Sequence, residues 1–308
     1  MKKRVLVIRP RCGLTNQLSC IAKGIILAHI SNRDLYIDNF QLDYRDYDNF
    51  MNIKNIIDIQ HLQNFLYNKG IFVSIENKII NSDIKKVETF TTEDIYFIKD
   101  IMKLIFHKDN ITIPVLDIDN PISCEIPPEY EKTLYDIIQN IEFTEGLKNI
   151  ATNIIQSLSL NNYTCIHLRI ENDAIDYMKE FCKIDHLDYL DINKICVSKY
   201  IEETNFFELN RNNIYICTSL SDKDINYPYY LEIKEKYGLK DKNDIEYFKL
   251  STENYRELLA IIDYMIAKKS HFFLGCDWSG FSLYIKHNHI LENKYVKLIN
   301  IFESIKNL

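Results

Sequence analysis

The chain lacks any Cys-x-x-Cys pair, although it has eight cysteines: Cys12, Cys20, Cys124, Cys165, Cys182, Cys196, Cys217 and Cys276. A zinc ribbon or a thioredoxin-like redox site needs that spacing, so both are excluded. Several of these cysteines stand inside apolar runs such as YTCIHL and IYICTS, which reads as buried free thiols. Glycine and proline are scarce, seven and six in 308 residues, which argues against long flexible linkers. A basic excess is missing too. Lys and Arg total 37 against 44 Asp and Glu, a net charge of −7, so there is no chain-wide footprint for nucleic acid. No apolar run reaches the ~20 residues of a membrane span. The start, MKKRVLVIRPRCG, is too short in apolar residues for a signal peptide, and a cytoplasmic location is the expectation. No Gly-x-Gly-x-x-Gly follows any strand-like run, which disfavours a dinucleotide oxidoreductase.

What remains is ordinary globular material, 46% hydrophobic and 26% charged, enough for one large domain or two medium ones. KRVLVIR (3–9) reads as a buried strand. A turn at Arg11–Gly13 follows, then a helix-spaced run with Thr15 or Asn16 as a candidate cap, then a strand at RDLYID (33–38). Helical stretches are expected near 51–67, 92–106 and 129–160, with a strand-like run at GIFVSI (70–75). A second α/β unit begins at 163, with strands at YTCIHLRI, NIYICTS (213–219) and HFFLG (271–275). Helices are expected at 255–269 and 281–287. The small polar stretch SLSLNN (157–162) is the candidate junction. The expectation is therefore an α/β chain of two Rossmann-like domains, 1–158 and 159–308, with the final helix free to pack back on the first.

In open α/β sheets ligands bind beyond the carboxyl ends of strands. Three such ends carry unusual polar residues. CGLTNQ (12–17) has Gly13 for a tight turn, and a helix N-terminus follows with free N–H groups. Asn16 and Gln17 there suit hydroxyls or an amide edge, or simply cap the helix. HLRIEND (167–173) places His167 and Arg169 on one face of a strand end. The Arg169 fork suits a diphosphate, while a structural pair with Glu171 or Asp173 is the plainer alternative. GCDWSGFS (275–282) enters a helix through Ser279 and Gly280, whose size admits a phosphate to the N–H groups of Gly280, Phe281 and Ser282. An ordinary capping turn would look the same.

Taken together and in this order, the three segments resemble the peptide motifs of the fucosyltransferase superfamily of inverting GT-B glycosyltransferases. The nearest likeness is to GDP-fucose protein O-fucosyltransferases, whose plant-type HLR-x-E-x-D matches HLRIEND. Departures exist: Cys12 stands where a glycine usually does, Gly280 replaces a serine, and Ser219 replaces an acid after NIYICT. The resemblance implies a GT-B fold, two facing Rossmann-like domains with the donor site in the cleft. It implies a metal-independent transferase that uses GDP-fucose as donor substrate, needs no cofactor, and takes a glycan or protein hydroxyl as acceptor. Arg169 would bind the β-phosphate as the catalytic residue, and His167 would line the donor pocket. Asp173 would orient Arg169 or help to hold the donor, and Ser279, Gly280, Phe281 and Ser282 would cradle the diphosphate. Gly13 belongs to the donor set through its turn, and Asn16 would face the sugar or acceptor. Asp263 would accept from a guanine edge; an exposed acid on an amphipathic helix is its other reading.

Glu171 and Asp173 lie near the donor as candidate bases, and neither is assigned. DID (117–119) imitates a metal-binding D-x-D but lacks its context. His287 and His289 form an HxH without further ligands, and read as surface residues. The tyrosine- and acid-rich DYRDYDNF (43–50) reads as a solvated loop, or as an acceptor-facing one. Two alternatives stay open: a GT-B enzyme using another nucleotide sugar, and an inactive GT-B-like protein that binds nucleotide or glycan.

Overall fold

A computed structural model of the chain describes residues 4–43, 46, 48–76, 84–86, 115–118, 125–184, 186–206, 213–245 and 255–306. The expected helix near 92–106, Asp119 of DID, Cys124 and part of the DYRDYDNF loop lie outside these residues. The chain divides into two compact units, Met1–Glu145 and Gly146–Leu308.

In the first unit, strand β1 (Val5–Ile8) leads into helix α1 (Leu14–Ile30) and strand β2 (Asp34–Ile37). Short strands β3 (Phe40–Gln41) and β4 (Phe50–Met51) pair antiparallel. Helix α2 (Ile59–Asn68), strands β5 (Ile75–Glu76), β6 (Ile84–Lys86) and β7 (Val115–Asp117), and helix α3 (Glu131–Gln139) follow. The expected strand at 70–75 is shorter than its apolar pattern, since pairing begins only at Ile75. The main sheet is parallel, in the order β5-β2-β1-β7-β6. Helix α1 lies close on β1: a Cβ on Gly24 would sit 2.4 Å from Ile8 Cδ1.

The second unit holds most of helix α4 (Glu145–Ser157), then β8 (Thr164–His167), α5 (Asn172–Cys182), α6 (Tyr189–Phe206) and β9 (Ile214–Cys217). Helix α7 (Tyr227–Tyr237), helix α8 (Arg256–Lys269), strand β10 (Phe272–Cys276), helix α9 (Gly280–Leu291), strand β11 (Tyr295–Ile299) and helix α10 (Ile301–Lys306) complete it. Its sheet is parallel in the order β11-β10-β8-β9. Strands β8, β9 and β10 are buried along their whole length, which explains their continuous apolar runs. The SLSLNN stretch is tied into this unit, where Lys240 donates to the Leu158 carbonyl at 2.9 Å. Helix α10 packs on α5 and α6, with Ile301 and Ile305 in the same core as Ile175 and Ile192.

Five described cysteines, Cys20, Cys165, Cys196, Cys217 and Cys276, are buried thiols outside any disulfide. His289 is a core residue, not a surface one. Its two ring nitrogens face the Ala267 and Tyr295 carbonyls at 3.0 and 3.1 Å.

Strand β10 and helix α9 are in close contact at Gly275. A Cβ on Gly275 would stand 2.4 Å from Ser282 Oγ and 2.8 Å from Ser282 Cβ. Neither can yield, because Ser282 is fully buried in the first turn of α9. Gly275→Ala is therefore expected to destabilise this unit by about 1–3 kcal/mol through overpacking. Urea unfolding followed by Trp278, the single tryptophan of the chain, measures it.

Candidate active site

Strand β8 has β9 on one side and β10 on the other, and the chain crosses between those sides after β9. The carboxyl end of β8 is thus a switch point, where a parallel sheet opens a crevice. His167 ends β8, and Arg169 follows two residues later. Thr218 and Ser219 follow β9, and the turn Asp277–Ser279 joins β10 to α9. HLRIEND, NIYICTS and GCDWSGFS thereby meet on one sheet edge.

Arg169 is part-exposed at the mouth of this edge. Its Nη2 reaches Asp173 Oδ2 at 3.5 Å, the outer limit of a hydrogen bond. Its guanidinium carbon stands 5.2 Å from the centre of the Trp278 ring, a cation–π geometry. Its Nε is buried and has no hydrogen-bond partner among the described residues. The cation is held in place without being tightly neutralised.

Glu171 explains much of that placement. It is buried at the start of α5, and its Oε1 accepts from Ser219 N–H at 2.8 Å, Ser219 Oγ at 2.8 Å and Thr218 Oγ1 at 3.2 Å. Burial works to raise its pKa, but Arg169, Arg256 and the Ser219 N–H outweigh burial and hold it at about 2. Arg256, in the first turn of α8, donates to Ser219 Oγ at 3.0 and 3.1 Å and reaches Asp173 at 3.4 Å. Sequence reasoning missed Arg256. The only available signal was an arginine at the start of the helical run 255–269.

His167 is buried, and its Nδ1 pairs with Ser282 Oγ at 2.9 Å. Burial pushes its pKa down to about 3, so the ring is neutral. It also packs against Phe281, ring centres 4.6 Å apart, and Phe281 meets Tyr264 edge-on. Ser282 Oγ additionally accepts from Cys276 N–H at 3.2 Å. The side chains of His167 and Ser282 therefore dock α9 against the sheet. What α9 offers to a ligand is its first turn. Ser279 is its N-cap but makes no side-chain capping bond, and the first N–H groups of a helix have no partner within it. Gly280 is half-buried at that turn.

Asp263 departs from both readings made of it. It is neither an exposed acid nor a free acceptor for a guanine edge. It is buried on α8, with Oδ1 accepting from Tyr215 at 2.7 Å and Oδ2 paired to Lys242 at 2.6 Å. Burial works against the Lys242 charge, but Asp263 outweighs it and holds the lysine protonated. A helical apolar pattern read without its tertiary partner could not reveal a buried lysine arriving from Asp241–Asp244.

In the first unit, α1 is capped by Gly13 and not by Thr15 or Asn16, and no side chain caps it. Asn16 is exposed in that first turn. Gln17 is fully buried and serves the backbone: it donates to the Cys12 and Gln41 carbonyls and accepts from Gln41 N–H. Cys12 has φ of 71°, the left-handed region that favours glycine, which accounts for the glycine usual at this place. Asp117 of the DID segment is not set up as a metal ligand. It forms a two-pronged pair with Arg9 at 2.5 and 2.8 Å. Among the described residues no group of three His, Cys, Asp or Glu is placed to hold a metal ion, and no helix is long and apolar enough to cross a membrane.

Comparison with solved structures agrees on the fold. A crystal structure of POFUT1 in complex with GDP matches at a TM-score of 0.59 and 14% identity, covering 94% of this chain and 95% of that one. POFUT1 in complex with GDP-fucose matches at 0.57 and 13%, covering 93% and 94%. The fucosyltransferase NodZ from Bradyrhizobium matches at 0.56 and 14%, covering 93% of both chains. No curated protein matches. The fold is the α/β GT-B class. The model of the family described as GDP-fucose protein O-fucosyltransferase matches residues 16–291, and the chain belongs to that family.

Proposed function

We propose that the chain is a glycosyltransferase that moves fucose from GDP-fucose to a hydroxyl of a glycan or protein, with inversion and without a metal ion. Family membership supports the transfer and the donor. The observation that carries the site assignment is Arg169, a fixed cation with an unpartnered buried Nε and a long, weak pair to Asp173.

When the acceptor oxygen attacks the anomeric carbon, the bond to the β-phosphate oxygen breaks and its electron pair stays on the phosphate. Negative charge grows there. The Arg169 fork is suited to that charge, and a fixed donor stabilises the transition state more than the ground state. The open first turn of α9, at Ser279, Gly280, Phe281 and Ser282, supplies backbone N–H groups to the same diphosphate. Asp173 orients Arg169 until the phosphate replaces it. His167 acts at one remove, by seating α9. In the first unit, the resemblance to the family gives the Gly13 turn to the donor set and Asn16 to the sugar or acceptor. Glu171 is not the base that takes the acceptor proton: its pKa of about 2 makes it a poor one near neutral pH.

Arg169→Ala is expected to weaken GDP binding at least tenfold and to cut turnover of GDP-fucose by about 10²–10³-fold. Calorimetry with GDP is the decisive reading, and unchanged affinity in the variant sinks the phosphate assignment. In a donor panel, GDP-fucose should raise the melting temperature by mass action. If UDP- or ADP-sugars stabilise the protein and GDP-fucose does not, the fucose assignment fails. A third outcome concerns Glu171. Its folded pKa lies below the ordinary 4.5, so its contribution is fully present above about pH 5 and is lost as pH falls toward 2. Glu171→Gln should therefore cost about 3 kcal/mol at pH 7, with the gap to wild type narrowing in acid-dependent urea titrations.

A further inference from the structure

Asp173 stands between two arginines. Its Oδ2 lies 3.5 Å from Arg169 Nη2 and 3.5 Å from Arg256 Nη2, and its Oδ1 lies 3.4 Å from the same Arg256 nitrogen. Charge-assisted bonds between such groups normally close to about 2.7–2.9 Å. Both contacts are therefore loose, and the carboxylate can tighten on one arginine as it leaves the other. The two arginines are held differently. The Arg169 side chain is 30% exposed at the mouth of the site, whereas that of Arg256 is 9% exposed. Ser219 Oγ accepts from Arg256 Nε at 3.1 Å and from its Nη2 at 3.0 Å, which fixes the plane of the guanidinium. Asp173, at 37%, is the most exposed of the three. The acid is the part with room to move, and Arg256 is the fixed point.

The placement of Arg256 goes against local rules. It opens α8, where the helix dipole disfavours a cation. It is also buried, which carries a desolvation cost. Chains break such rules mainly at functional sites. Glu171 accounts for part of the placement, since Arg256 helps to hold that carboxylate ionised. Glu171 does not account for the reach of Arg256 Nη2 to both oxygens of Asp173.

A diphosphate that engages Arg169 takes a partner from Asp173 and brings negative charge beside it. Like charges at that range repel, so the carboxylate needs a cation to move to. We propose that Arg256 is that cation: a positioning residue that takes over Asp173 when a diphosphate engages Arg169, and so keeps the acid from competing for the fork. This role rests on the reading of Arg169 as the phosphate ligand, and adds what makes that ligand available.

The test is a double-mutant cycle between Arg256 and Asp173 in the full chain, read by calorimetry with GDP. Arg256→Gln should weaken GDP binding by about fivefold or more, because Asp173 then closes on Arg169. In an Asp173→Asn background the same change should cost about twofold or less, since no carboxylate is left to compete. A role confined to Glu171 or to folding gives a loss of the same size in both backgrounds. That result, or wild-type affinity in Arg256→Gln, overturns the proposal. Thermal unfolding shows which variants fold. If Arg256→Gln does not, Arg256→Lys keeps a charge beside Glu171 but has no fork to hold Ser219 and Asp173 together. It should lose about twofold or more, again only while Asp173 is present, and the absence of that loss overturns the proposal equally. Arg169→Ala separates the two readings. Unchanged GDP affinity there removes the phosphate assignment and this role with it. Lost affinity there, with no coupling in the cycle, removes the role of Arg256 alone.

Discussion

Burial of the Glu171 carboxylate is the constraint on which the site depends. A charge taken out of water must be paired and hydrogen-bonded, or the chain refolds around it. Glu171 meets this demand by drawing three donors from the end of β9 and by lying within the field of Arg169 and Arg256. The requirement ties β8 to β9 at their carboxyl ends and brings α8 in through Arg256. It also puts a negative charge against Ser219, where the resemblance leads one to expect an acid. The Ser219 hydroxyl donates a hydrogen bond to Glu171 and accepts one from Arg256, so the negative charge is supplied one strand away.

A second constraint acts on the other side of β8. Gly275 lets α9 approach β10 to the point where Ser282 Oγ takes both the Cys276 N–H and the His167 ring. Burial keeps that ring neutral, so it adds no charge beside the helix N-terminus. The dipole of α9 then acts undiluted on whatever lies at Ser279. Two close approaches, one on each flank of β8, thus aim a side-chain cation and a helix N-terminus at the same edge of the sheet.

Strands β8, β9 and β10 of the second unit were readable from sequence because they are buried along their whole length and carry unbroken apolar runs, whereas the half-exposed edge strand β11 was missed. Helices α8 and α9 were readable from their spacing. The first unit was harder: its strands are short, and the apolar run at 70–75 joins the sheet only at its end. At the site, the residues in motifs were legible, but their division of labour was not. Gln17, His167 and the Ser282 side chain face inward and bond to the protein, which a motif cannot reveal. Asp263 misled because its partner Lys242 is 21 residues away in sequence. Arg256 escaped notice because a helix-opening arginine has no signature of its own. In each case the missing information was a tertiary partner.

The remaining question is how a cation can be both fixed and available. A tight two-pronged pair, such as Arg9 makes with Asp117, fixes an arginine but uses up its fork. Arg169 is restrained differently. The Trp278 ring holds its flat face, the buried Glu171 charge attracts it through space, and Asp173 touches it at 3.5 Å. A part-exposed pair of that length is worth about 0–1 kcal/mol, little enough for a diphosphate to displace. The local charges already balance, with Arg169 and Arg256 facing Glu171 and Asp173. An incoming diphosphate must therefore be held by displacing Asp173 and by the N–H groups of α9, not by excess positive charge. That arrangement favours a ligand with the geometry to use both at once, and it explains why the Arg169 motif and the Ser279 turn are informative only as a pair.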